Sequence, residues 1–126
     1  MAMIKIKIRR RKEINGGFTY PDVITLDLPE YARSLDIIAT LAHELGHFYD
    51  GAEHEGHEKE YIADVYAAAC IGKAKYIEHL ELELEEYPEL STECETHPSH
   101  TQRIERLRKT KSLKKEVELL EKRRLK

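Results

Sequence analysis

The run Ile37-Ile38-Ala39-Thr40-Leu41-Ala42-His43-Glu44-Leu45-Gly46-His47 decides how this chain is read. On a helix, residues four apart lie one turn apart on one face, so His43 and His47 present two imidazoles side by side, with Glu44 one position round. Two imidazoles at that spacing can hold one zinc ion, and the carboxylate between them in sequence is placed to take a proton from a metal-bound water. The helix is expected to begin at Ser34 as N-cap and end at Gly51 as C-cap. Ile37, Ile38, Leu41, Leu45 and Phe48 form its expected buried side.

Working outward, Glu58-Lys59-Glu60-Tyr61-Ile62-Ala63-Asp64-Val65-Tyr66-Ala67-Ala68-Ala69-Cys70 predicts a second helix, antiparallel to the first across a short acidic turn. Such a hairpin brings Glu60 opposite the two histidines as a third ligand. It also sets Asp64, one turn on, where its carboxylate can accept the other ring N–H of a ligating histidine. Three protein ligands leave a fourth position for water or substrate, the pattern of a catalytic rather than a structural zinc. A competing register, H-E-x-x-H-x-x-G-x-x-H, would make His54 the third ligand. It fails by one residue, because Asp50 stands at the glycine position and Glu53 at the histidine position. It also lacks a downstream methionine turn, since the methionines are Met1 and Met3. His54 and His57 are read as solvated loop residues.

His43, Glu44, His47, Glu60 and Asp64 resemble the gluzincin metallopeptidases, in which H-E-x-x-H is followed by a glutamate helix bearing E-x-x-x-D. Glu60 to Asp64 and the later Thr96-His97-Pro98-Ser99-His100-Thr101-Gln102-Arg103-Ile104 are similar to the E-x-x-A-D and S-T-H-P…R-I segments of the CAAX-processing and HtpX-type membrane peptidases. The likeness spans roughly residues 35 to 107. The chain departs from those membrane enzymes in having no transmembrane run, in its short ligand spacing, and in Cys94-Glu95 standing just before Thr96. It is most similar to the minigluzincins, small soluble domains known as latent forms whose C-terminal segment blocks the active site. The resemblance implies a zincin-like fold, one zinc ion, zinc-dependent endopeptidase activity and a polypeptide substrate. By the same resemblance His97 is the candidate donor to a tetrahedral oxyanion, and Arg103 a cation that holds a carboxylate such as Asp64. Tyr49, Tyr61 and Tyr66 are alternatives to His97. The contrasting class is a zinc-stabilised interaction module without catalysis, in which Glu44 would have no use.

Composition bounds these expectations. A chain of 126 residues fits one domain with a modest core. No signal-peptide h-region is present at the N-terminus, and no apolar run approaches the roughly 20 residues of a membrane helix, so a cytoplasmic location is expected. Cys70 and Cys94 lack metal-site spacing. Cys70 is expected to be a small buried apolar residue, and Cys94 a loop thiol or, as an alternative, a zinc ligand of a latent state. With 36% charged residues, one Asn and one Gln, the chain reads as thermophilic.

The expected fold class is α+β: a small N-terminal sheet or hairpin packed on the active-site helix, the glutamate helix and a C-terminal helix. Ile4, Ile6 and Ile8 predict a first strand facing the core, Asn15-Gly16-Gly17 a turn, and Val23 to Leu28 a second strand with Ile24, Leu26 and Leu28 inward. The glutamate helix is expected to run through Ile77, Leu80 and Leu84 to Tyr87, where Pro88 stops it. After a loop, Ser99-His100-Thr101-Gln102 fits a capping box for a helix continuing through Ile104, Leu107, Leu113, Val117 and Leu120.

The formal net charge of −3 hides a division. Asp50 to Glu95 holds 14 acidic against three basic residues, a balance of −11, whereas Thr101 to Lys126 holds eleven basic against four acidic, a balance of +7. Residues 109–126 are therefore read as a basic tail able to dock on the acidic cleft and inhibit it, or to pair two copies as a homodimer or higher oligomer. Nucleic acid is excluded as a partner, because the tail has no aromatic residue for base stacking and no nucleic-acid motif is present. A membrane is excluded as well.

Overall fold

The computed structural model describes residues 3–51 and 53–124. Its elements run β1 (Lys5–Arg10), β2 (Asn15–Thr19), β3 (Val23–Leu28), α1 (Ser34–Asp50), α2 (Gly56–Ile71), α3 (Lys73–Glu86), a 3-10 turn at Pro88–Ser91, α4 (His100–Lys109) and α5 (Leu113–Arg124). This is an α+β chain with its sheet at the N-terminus and its helices after it, the expected class.

The sheet has strand order β1-β3-β2, with β1 parallel and β2 antiparallel to β3. The expected turn Asn15-Gly16-Gly17 is instead the start of β2. Glycines hide the alternation that would have marked this strand, and Phe18 is its one large apolar residue. Glycine is required at the second position, because a Cβ on Gly16 would stand 2.7 Å from Thr40 Cγ2 and 2.9 Å from Glu44 Cγ of the helix beneath. Ile24 and Leu26 are buried as expected. Ile6 and Ile8 pair with them in register and so share their face, yet remain 51% and 66% exposed. The expectation that they face the core is corrected: α1 packs on β2 and β3 and does not reach β1 at the sheet edge.

Helix α1 has Arg33, not Ser34, as N-cap, with no side-chain cap bond. Its Nε donates to Asp36 Oδ2 at 2.6 Å. Gly51 ends α1 at φ 62, donating its N–H to the His47 carbonyl. The buried side also differs from the expected one. Ala39, Ala42, Glu44, Gly46, His47 and Phe48 are buried, whereas Ile38 is 53% exposed. Small residues win because α2 lies so close. A Cβ on Gly46 would stand 2.7 Å from Ala63 Cα and 2.9 Å from its carbonyl oxygen, so the two helices touch almost backbone to backbone there.

Two expected long helices are each divided. Gly72, at φ 97 and ψ 137, separates α2 from α3; that conformation suits glycine and breaks the helix although the apolar spacing runs on. Thr110 separates α4 from α5, its backbone extended, its hydroxyl on the Arg106 carbonyl and its own carbonyl held by Lys73 Nζ at 2.7 Å. The capping box at Ser99 and Gln102 is present in both directions.

The core joins α1, α2, α3 and α4 through Ala39, Ala42, Val65, Ala67, Ala68, Tyr76, Leu80, Ile104 and Leu107, with Leu113 against it. Helix α5 packs on α2 and α1. The segment expected to lie across an acidic cleft is thus laid along the other helices, while Leu125, Lys126 and the Leu120 side chain fall outside the described residues. Cys70 is exposed rather than buried, because it falls on the outer side of the last turn of α2. No helix among the described residues is long and apolar enough to cross a membrane.

Candidate metal centre

The hairpin of α1 and α2, closed at Gly46 and Ala63, brings three side chains to one point. His43 Nε2 and His47 Nε2 stand 3.1 Å apart with their rings perpendicular. Glu60, in the second turn of α2, places Oε2 2.8 Å from His47 Nε2 and Oε1 3.6 Å from His43 Nε2. Four ligands bound tetrahedrally at about 2.0–2.1 Å are separated from each other by about 3.3–3.4 Å. The three observed separations bracket that value.

Glu44 is buried, and its ligand-capable oxygen lies within 4.8 Å of the nitrogens of His43 and His47. Both carboxylates are thus within reach by distance. Glu60 is the one whose ion-pair distances to both nitrogens match adjacent ligands. Three buried polar atoms find no hydrogen-bond partner among the described residues: Glu44 Oε2, Glu60 Oε2 and His47 Nδ1. Glu60 Oε2 is close to His47 Nε2 but without hydrogen-bond geometry. Buried polar atoms left this way are costly; the carboxylate oxygens are open to a cation or water, whereas His47 Nδ1 lies across its ring from the Nε2 that faces His43 and Glu60.

Behind the histidines lies a buried network. Asp64 Oδ1 is 3.1 Å from His43 Nδ1, the contact that the helical spacing predicts. Arg103, reaching in from α4, donates Nη2 to Asp64 Oδ1 at 2.6 Å and Nε to Oδ2 at 2.9 Å. Burial pushes the Asp64 carboxyl up, but the Arg103 charge and hydrogen bonds outweigh it and hold Asp64 well below the usual carboxylate range. Burial likewise opposes charge on His43, yet hydrogen bonds to Asp64 and Glu60 raise its pKa to about 10. Glu60 is held ionised by His43 and His47 against its own desolvation.

His97 is 64% exposed at its side chain and sets Nε2 3.3 Å from Glu60 Oε1, with Nδ1 on the Thr96 hydroxyl at 2.9 Å. It therefore reaches the histidine–glutamate group from the solvent side. The Cys94 thiol bonds the Thr96 hydroxyl, which draws its pKa below the usual thiol value. His54 bonds Asp50, and His57 Nε2 bonds the Cys94 carbonyl at 2.7 Å; both are turned away from the centre.

The centre opens into a cleft of about 740 Å³, walled by Ile14 to Phe18 on one side and by Tyr76, His79, Glu83, Tyr87 and His97 on the other. Tyr49, Tyr61 and Tyr66 do not line it. Tyr49 stacks on Tyr66, and Tyr61 lies under the Arg106 guanidinium. The residue that sequence reasoning missed is Tyr76, fully buried on α3, its hydroxyl donating to Asp64 Oδ1 at 2.6 Å. Also missed were His79 and Glu83 of the same helix, with His79 bonding Asp36 at 2.8 Å and His100 bonding Glu83 at 3.0 Å. Their spacing of three, four and seven, interleaved with Leu80, was the available signal, because it puts polar groups on the apolar face of α3. Comparison with protein-family models, with curated proteins and with solved structures finds no match to this chain.

Proposed function

We propose that the chain is a zinc-dependent endopeptidase of gluzincin type, with one zinc ion held by His43, His47 and Glu60. The observation that carries this reading is the convergence of two imidazole nitrogens and one carboxylate at 2.8–3.6 Å, beside buried polar atoms that lack partners. The donor set of two nitrogens and one carboxylate suits zinc, and the unpartnered Glu60 Oε2 fits a cation at that point. When bound, zinc supplies a water acidified toward pKa about 7 and polarises a carbonyl oxygen.

The chain's own residues supply the rest. Glu44, buried beside the histidines with Oε2 unengaged, takes the proton of the attacking water and returns it to the leaving amine. Asp64 accepts a hydrogen bond from His43 Nδ1–H and so leaves Nε2 free to ligate the metal, while Arg103 balances the buried Asp64 charge. His97, exposed at the cleft and 3.3 Å from Glu60, is placed to donate to oxygen as negative charge develops on it. The cleft takes an unfolded segment of polypeptide. Inhibition by residues 109–124 forms no part of this reading, because α5 packs on α1 and α2.

The test is metal content and digestion together. Purified protein is expected to bind one zinc per chain and to cleave an unfolded protein, with loss of cleavage on chelation and recovery on adding zinc. A stoichiometry near zero, or cleavage indifferent to chelation, would overturn the reading.

A further inference from the structure

We propose that Tyr76 is a positioning residue that fixes which nitrogen of His43 faces the metal position. The inference rests on the zinc reading above only for its consequence on metal affinity; the proton arrangement stands on the geometry of four side chains.

The Tyr76 hydroxyl has one proton and three polar neighbours: Asp64 Oδ1 at 2.6 Å, His43 Nδ1 at 3.1 Å and Arg103 Nη2 at 3.2 Å. Arg103 can only donate, so it gives a proton to the tyrosine oxygen. The remaining choice is whether the hydroxyl donates to the carboxylate or to the imidazole. The much shorter separation and the negative charge both select Asp64, since a bond from a hydroxyl to a carboxylate is the stronger. With its proton spent there, the tyrosine oxygen can act toward His43 only as an acceptor. His43 Nδ1 thus faces two acceptors at the same 3.1 Å, Asp64 Oδ1 and Tyr76 Oη, and must itself carry a proton. Nε2 is then left as the atom that faces His47 Nε2 and Glu60.

Burial makes this arrangement consequential. Tyr76 and Asp64 are 0% and 1% exposed, so water does not stand in readily for a lost partner. Tyr76 comes from α3, Asp64 from α2, His43 from α1 and Arg103 from α4, so the hydroxyl ties four helices to the orientation of one ring. Asp64 alone would hold the ring through one contact at the end of a side chain already claimed twice by Arg103. The tyrosine adds the second acceptor that fixes the ring plane.

Tyr76→Phe removes the oxygen and keeps the ring that packs in the core. Zinc affinity, measured by competition with a chromophoric chelator, is expected to fall about 10-fold, the lower end for a group behind a ligand. Tyr66→Phe, a buried tyrosine outside the network, serves as control and should leave affinity within about twofold. Unchanged affinity in folded Tyr76→Phe would overturn the proposal. Nitrogen-15 NMR of the wild-type chain without metal decides the proton arrangement whether or not the variant folds. His43 Nδ1 is expected to be protonated, with its proton exchanging slowly with solvent. An unprotonated Nδ1 would mean that Tyr76 donates to His43, and the proposal would be wrong. If wild-type chain binds no zinc, the proposed function fails, while the NMR result still shows whether the Tyr76 oxygen meets His43 Nδ1 as acceptor or as donor.

Discussion

Glu44 and Glu60 stand within one pocket and are assigned opposite duties, one proton transfer and the other ligation. Their substitution separates the two. Glu44→Gln is expected to retain zinc and thermal stability while losing about 10²–10⁴-fold in cleavage rate, because it removes a general base and no ligand. Glu60→Ala should instead lose zinc, by far more than His54→Ala, whose imidazole bonds Asp50; metal analysis of the two purified variants decides between them. Asp64→Asn should lower zinc affinity on the order of 10 to 100-fold. At this scale the sequence was informative where helical spacing alone fixes geometry: His43, Glu44 and His47 lie on one helix, and Glu60 and Asp64 on the next. It was less direct for Tyr76, because an aromatic at an apolar position of α3 reads as core unless its spacing to His79 and Glu83 is weighed, and its hydroxyl meets Asp64 only through a long-range helix contact.

At the scale of elements, the centre depends on how near α1 and α2 come. Gly46 permits that approach, so Gly46→Ala would drive a methyl group into the Ala63 backbone. Relief requires the helices to part, which moves Glu60 away from the histidines. Such overpacking costs about 1–3 kcal/mol, and calorimetry should show a lowered Tm with zinc affinity falling in parallel. A Tm equal to wild type would contradict the close packing. Gly16 acts the same way from the sheet side, where β2 crosses Thr40 and Glu44. Element boundaries were the part least legible in the sequence. Apolar spacing continues through Gly72 and through Thr110, and only the backbone conformation there breaks the helices. Strand β2 was missed because two of its five residues are glycine.

For the whole molecule, ion pairs of Arg106 with Glu58 and of Arg108 with Glu81 join the basic and acidic stretches through α4. Helix α5 lies on α2 and α1, with Leu113 against the core, so truncation after Lys109 is expected to lower Tm and not to raise activity. A truncated chain that is equally stable and more active would restore the inhibitory tail. Acid should destabilise the fold through Glu83. Burial raises its pKa, but hydrogen bonds from His100 and His79 prevail and hold it well below the usual carboxylate range. A carboxyl depressed in the folded state contributes stability that is present above its unfolded pKa of about 4.3 and is lost as pH falls below it. Urea midpoints should therefore begin to drop near about pH 5 and go on falling as pH descends toward the depressed folded pKa, and Glu83→Gln should flatten that drop.

Metal-dependent hydrolysis with Glu44 as base, the function proposed above, is decided by incubating an unfolded protein with zinc-loaded wild type and with Glu44→Gln carrying the same measured zinc. Fragmentation by wild type alone is the predicted result. Equal fragmentation by both proteins, or none by either at full zinc occupancy, would contradict it.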